Sequence, residues 1–263
     1  MSTDNDDVIV ITGASAGIGE AVARALIAPG RRLVLVARRR ERLETLATEL
    51  GHGTQVVAAD LATDAGVRAV LAAAPTCSVL VNNAGFGRMG AFDATDRQAD
   101  MVRLNCEAPV ALARHYVHGM VAARRGAIVN IGSAMGWQAM PRMAVYAASK
   151  AFVMAWTEGL AEELRGTGVS AHCICPGATP TEFGDVAGAD PLVLKATYAV
   201  GTSVDQVVRA TEAASRGRAG AVVVPGLLNK LVVLFSALSP RWLSRLTTGL
   251  VMRGRIRADR AVG

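Results

Sequence analysis

Residues 8–26 constrain the fold more tightly than any other stretch. Val8-Ile-Val-Ile-Thr12 is a short continuous apolar run that ends at Gly13. Such a run reads as a strand buried on both faces. Then comes Gly13-Ala-Ser15-Ala-Gly17-Ile18-Gly19, followed by Glu20-Ala-Val-Ala-Arg-Ala-Leu26, a set of strong helix formers. Strand, glycine turn and helix together offer free backbone N–H groups and a helix N-terminus to a phosphate. The glycines let the backbone approach a pyrophosphate and let the helix pack close to the strand. Their spacing is Gly-x-x-x-Gly-x-Gly, not the more familiar Gly-x-Gly-x-x-Gly.

The same alternation continues. Arg32–Ala37, Thr54–Ala59, Ser78–Val81, Gly126–Ser133, Val169–Cys175 and Ala221–Val224 read as further strands. Helical patterns cover 39–50, 64–73, 96–123, a segment through Tyr146 to about Arg165, and 204–215. The expected fold is α/β: a Rossmann-like doubly wound parallel sheet of about seven strands with helices on both faces. Ligands on such sheets gather beyond the carboxyl ends of the strands. Gly13, Arg38, Asp60, Asn83 and Ser133 all fall at such ends.

The second strand runs into Arg38-Arg39-Arg40, with Ala37 where an acid would meet a ribose 2′-hydroxyl. Guanidinium forks suit a 2′-phosphate. This favours NADP(H) over NAD(H), with Arg38 and Arg39 as the phosphate ligands.

Tyr146 and Lys150 lie four apart on a helical pattern and share one face. A nearby ammonium favours the phenolate and is expected to lower the tyrosine pKa, making it an acid–base for a carbonyl or alcohol oxygen. Taken in order, Thr12-Gly-x-x-x-Gly-x-Gly19, Asp60-Leu61, Asn82-Asn83-Ala84-Gly85, Asn105, Ser133, Tyr146-x-x-x-Lys150 and Pro176-Gly177 resemble the short-chain dehydrogenase/reductase family over roughly 8–225. The resemblance implies that Tyr146 protonates the carbonyl oxygen and that Ser133 holds it. It implies that Lys150 lowers the tyrosine pKa and binds the nicotinamide ribose, and that Asn105 holds a water linking Lys150 to solvent. It places Asp60 at the adenine and Asn83 near the adenosine ribose. It adds Ser15, Ile18, Gly19, Leu61, Ala84, Gly85, Pro176, Gly177, Thr179 and Thr181 to the cofactor contacts. Thr179 stands where the family often has valine, and the glycine loop lacks the basic residue of many NADP-preferring members.

The 263 residues carry a net charge of +6, unevenly placed. From Arg241 to the end there are six arginines and only Asp259 as an acid, so this stretch holds +5 and the rest +1. The body therefore has no broad nucleic-acid footprint. Four scattered cysteines point to a reducing, cytoplasmic setting. Cys173 and Cys175 alternate in an apolar run and are expected on opposite strand faces. His115 and His118 have no evident third ligand, so no metal is expected. Residues 1–7 read as a disordered acidic tail, not a signal peptide. Residues 178–200 read as a lid over the cleft.

The extension over 226–263 is apolar and then basic. Lys230 and Pro240 interrupt it before the roughly 20 apolar residues that a spanning helix needs. It could pack on the body or a subunit, form a lip over a greasy pocket, or lie on an anionic membrane through 226–260. The expected partner is a small apolar carbonyl or alcohol: a 3-oxoacyl thioester, a long-chain aldehyde or a steroid-like ketone. The resemblance also implies a homodimer or homotetramer. The alternative function is a membrane-surface dinucleotide-binding protein with little or no catalysis.

Overall fold

A computed structural model describes residues 7–51, 53–189, 191–199 and 201–250. Of the tail expected over 1–7, residues 1–6 lie outside the described residues, as do the four arginines beyond 250, while Asp7 belongs to the first strand.

Seven strands form one parallel sheet: β1 (Asp7–Thr12), β2 (Arg31–Ala37), β3 (Gln55–Ala58), β4 (Val79–Asn82), β5 (Gly126–Ile131), β6 (Val169–Ile174) and β7 (Val222–Val223). Their order is β3-β2-β1-β4-β5-β6-β7. The chain starts in the middle, winds outward to β3, then crosses back to β4. Ile9 therefore lies beside Leu33 on one side and Val79 on the other. The strand order reverses between β1 and β4, which is where a crevice opens.

The helices are α1 (Gly17–Leu26), α2 (Arg40–Leu50), α3 (Asp64–Ala73), α4 (Gln98–Val102), α5 (Ala108–Ala122), α6 (Ala144–Glu163), α7 (Phe183–Val186), α8 (Pro191–Ala199), α9 (Val204–Ser215) and α10 (Leu227–Leu238). Strand parity sorts the core into two layers. Val8, Val10, Val34, Val36, Leu80 and Ile128 face Val70 of α3 and Leu112, Tyr116 and Met120 of α5. Ile9, Ile11, Leu33, Leu35, Val81 and Val129 face Val22 and Leu26 of α1, Leu43 and Leu46 of α2, and Val207 of α9. Each buried side chain contributes about 1.5–3 kcal/mol. A one-residue slip of any central strand would exchange the two layers, so the register is firmly set.

Two expectations need correction and a third is filled out. The helix over 96–123 is not continuous: a π-helical turn at Arg103–Glu107 separates α4 from α5. Pro109 has no N–H to return to the carbonyl of Asn105, and the Ala108 N–H bonds Arg103 C=O, five residues back. The stretch over 178–200, read as a lid and without a clean helical period in sequence, nevertheless holds α7 and α8, α8 starting on Pro191, which suits a first helical position. Cys173 and Cys175 lie on one face, Sγ to Sγ 3.4 Å, as residues two apart on a strand must.

Candidate active site

The glycine loop is built by close approach. Gly13 and Gly17 adopt left-handed φ of 67° and 58°. A Cβ on Gly19 would sit 2.3 Å from Gly13 C=O, so only glycine fits. Thr12 Oγ1 accepts from the N–H groups of Asn83 (3.0 Å) and Ala84 (2.9 Å) and donates to Val81 C=O (3.3 Å). Asn83 Nδ2 donates to the Thr12 and Gly13 carbonyls. Asn83 and Ala84 thus stitch the loop to the end of β4. Ala16 gives α1 no side-chain cap, so the first-turn N–H groups have no side-chain acceptor there.

Beyond β2, Arg39 donates to Ser15 Oγ (3.2 Å) and Ser15 C=O (3.4 Å), which draws it over the loop. It also pairs with Glu182 at 2.8 Å, and Arg42 pairs with the same carboxylate at 2.6 Å. The two guanidiniums hold the Glu182 carboxyl below its usual range. Arg38 is exposed and has no ion-pair partner among the described residues. Asp60 Oδ1 accepts from the Ala62 N–H at 3.0 Å, whereas Leu61 is buried in the core. Thr181 lies across the loop, 3.1 Å from the place of a Cβ on Gly17. Thr179 Oγ1 donates to Gly177 C=O at 3.1 Å, and the Gly177 N–H donates to Thr202 Oγ1 at 2.9 Å. Pro176 C=O accepts from Ala134 N–H at 2.9 Å, which ties the end of β6 to the Ser133 turn.

Asn105, Ser133, Tyr146 and Lys150 converge and are all buried. Asn105 Nδ2 donates to Phe86 C=O and to Ser149 Oγ, both at 3.0 Å, while its Oδ1 accepts from the Phe86 N–H. Ser149 Oγ donates in turn to Tyr146 C=O at 2.7 Å. Lys150 Nζ donates to Ile131 C=O at 2.7 Å and lies 5.8 Å from the Tyr146 ring centre. A Cβ on Gly85 would meet Asn105 Oδ1 at 3.0 Å and Lys150 Nζ at 3.6 Å, which shows how tightly the three pack. Ser133 ends the β5 segment and caps a short 3-10 turn through the Met135 N–H.

The expected lowering of the Tyr146 pKa is not what the protein's own residues produce. Burial pushes the phenol up to about 12, with Ser133 acting in the opposite direction. Burial also lowers Lys150, against the pull of Cys173, Cys175 and Cys106. The physical reason is that desolvation of the phenol outweighs its Ser133 hydrogen bond, and desolvation of the ammonium outweighs the nearby thiols.

Residues 7–191 match the family model of the short chain dehydrogenases. The chain belongs to the short-chain dehydrogenase family. It is an oxidoreductase with that family's Rossmann-like sheet. The NADP-dependent 3-hydroxy acid dehydrogenase YdfG of Escherichia coli K12 is 36% identical over 187 residues, 68% of this chain and 75% of that protein. A short-chain dehydrogenase from Sphingobium yanoikuyae, solved with NADPH, superposes with a TM-score of 0.74 at 33% identity, covering 84% of this chain and 88% of that one. A 7beta-hydroxysteroid dehydrogenase superposes with a TM-score of 0.82 at 27% identity, covering 92% of this chain and 96% of that one.

Two features of this dehydrogenase were not read from sequence. One is Glu182, whose partner Arg39 lies 143 positions away. The other is the part of the apolar wall around Tyr146 that lies outside 134–142 and 178–200, the stretches from which pocket walls are expected: Phe86, Met89, Met101 and Met143 join Met135, Met140 and Phe183. Phe183 tilts against the Tyr146 ring at 5.3 Å between centres. The methionines come from three stretches, around 89, 101 and 135–143, so no single local pattern reveals them all.

Proposed function

We propose that this dehydrogenase uses NADPH to reduce the carbonyl of an apolar ketone or aldehyde to an alcohol. The observation that carries this reading is the Tyr146 phenol beside Ser133, packed against a wall of methionine and phenylalanine. Methionine is polarisable and adaptable, so such a wall suits a bulky apolar substrate. The YdfG relative acts on a 3-hydroxy acid and the 7beta enzyme on a hydroxysteroid. A 3-oxoacyl, long-chain or steroid-like carbonyl is therefore the substrate class proposed.

The glycine loop, the uncapped start of α1 and the unpaired Arg38 fit a dinucleotide with a 2′-phosphate. Arg39, held over the loop by Ser15, lies beside Arg38 in sequence. Both NADP-linked comparisons support the same preference. When bound, NADPH supplies the hydride and, once oxidised, a positive charge near the phenol.

The protein's part is to position and protonate. Ser133 holds the substrate oxygen, and Tyr146 Oη gives it a proton. A phenol pushed up to about 12 keeps that proton at neutral pH, the state a reduction needs. Lys150 and Asn105 stand behind it as positioning residues and as the route by which the phenol regains its proton. Pro109 offers no N–H to the Asn105 carbonyl four residues before it.

The test is NADPH oxidation across carbonyls graded by chain length, repeated with NADH. We expect rising kcat/KM with chain length and at least a tenfold preference for NADPH that narrows in Arg38→Ala. Turnover of none of these carbonyls, or a preference for NADH, would overturn the reading.

A further inference from the structure

Helix α10 and the helical residues 241–250 after Pro240 expose most of their apolar side chains. Leu227, Leu231, Leu234 and Leu238 follow one another at helical spacing on one face, and Leu227 and Leu238 are 76% and 77% exposed. Phe235 flanks them, and Trp242 in the segment after Pro240 is 61% exposed. Only Asn229 and Val233 anchor α10 inward, at 8% and 9% exposure. Isolated exposed apolar residues are ordinary, but a contiguous face of this kind marks an interaction surface.

The charge around this face selects its partner. Lys230, Arg241 and Arg245 are exposed along it, and residues 226–250 contain no acid. Two copies meeting through this face would bring like patches together under two-fold symmetry, arginine near arginine, with no carboxylate on the segment to pair them. A bilayer rich in anionic headgroups supplies apolar depth, phosphates for the cations and the interfacial zone that tryptophan favours. No helix among the described residues is long and apolar enough to cross a membrane, so the segment would lie on the surface.

We infer that residues 227–250 form a docking surface for an anionic lipid bilayer. The surface sits beside the catalytic cleft, since α10 packs against the turn over 134–137 that follows Ser133. Docking therefore holds the cleft near the lipid phase. The inference does not depend on which carbonyl is reduced.

Vesicle co-sedimentation of the full-length protein tests it. Phosphatidylcholine vesicles with about a third phosphatidylglycerol should bind the protein, and pure phosphatidylcholine should bind it far less. Leu231→Gln/Phe235→Gln/Leu238→Gln should bind at least a hundredfold more weakly. Lys230→Gln/Arg241→Gln/Arg245→Gln should lose roughly fivefold per cation, and only on the anionic vesicles. Thermal unfolding confirms that each variant is folded, and the two sets change different chemistry at exposed positions. Failure of the wild type to bind anionic vesicles would overturn the inference. So would equal binding by the apolar variant, or a triple variant that only shifts the oligomeric state while vesicle binding is absent throughout.

Discussion

Helix α6 buries polar side chains, whereas α10 displays apolar ones. On α6, Tyr146, Ser149, Lys150 and Thr157 are all buried. Thr157 completes a polar ladder in which Asn82 Nδ2 donates to Asn130 Oδ1 and Asn130 Nδ2 to Thr157 Oγ1, each at 2.9 Å. Burying such groups costs stability unless each finds a partner. On α10 the opposite cost is accepted, because apolar area that could be removed from water is left in it. Each helix departs from what folding alone would select. The departures are the observations on which the proposed chemistry and the inferred docking rest.

The comparison breaks most visibly at Lys150. Lys150→Met should lower turnover by about a thousandfold, while the melting temperature stays level or rises. Lys150 is held below its ordinary pKa by burial, so the folded state bears a cost in keeping it charged at neutral pH. That cost shrinks as pH rises, since the unfolded chain then binds more protons than the native one. Steady-state kinetics with calorimetry checks this, and strong destabilisation with retained turnover would contradict it.

Tyr146 gives the matching effect with the opposite sign. Its folded pKa of about 12 exceeds the ordinary value of 10. The burial of the neutral phenol is fully stabilising below pH 10 and loses this advantage between pH 10 and 12. Urea unfolding should show the wild type losing about 3 kcal/mol over that window relative to Tyr146→Phe.

Asn105→Ala should cost about a hundredfold in kcat and little in NADPH affinity, because it releases Ser149 and the Phe86 main chain without touching the glycine loop. Comparing kcat with NADPH binding separates this from general misfolding. The smallest effect lies on α10. Leu231→Gln and Phe235→Gln should each change stability by no more than about 0.5 kcal/mol in urea unfolding, despite their size, because both side chains are already exposed.

The sheet was legible because every strand is a short apolar run closed by a turn residue. The candidate site was legible because the loop glycines and Ser133 stand at strand ends and Tyr146 and Lys150 at helical spacing, while Asn105 was supplied by the family resemblance. What escaped is what tertiary structure assembles. Glu182 meets Arg39 and Arg42 across the fold, and the methionine wall draws on three stretches of chain. The π-helical turn was hidden because hydrophobic periodicity runs through it, although Pro109 carried the signal. The upward push of burial on the Tyr146 phenol was not legible, because spacing along a helix shows a neighbouring cation but not the depth of burial.

The most direct measurement is single-turnover reduction of a 3-oxoacyl thioester by wild type and Tyr146→Phe, with NADPH binding followed by nicotinamide fluorescence in the same samples. The account predicts unchanged binding and a loss of roughly a thousandfold in turnover. Wild-type rates in the phenylalanine variant would contradict it.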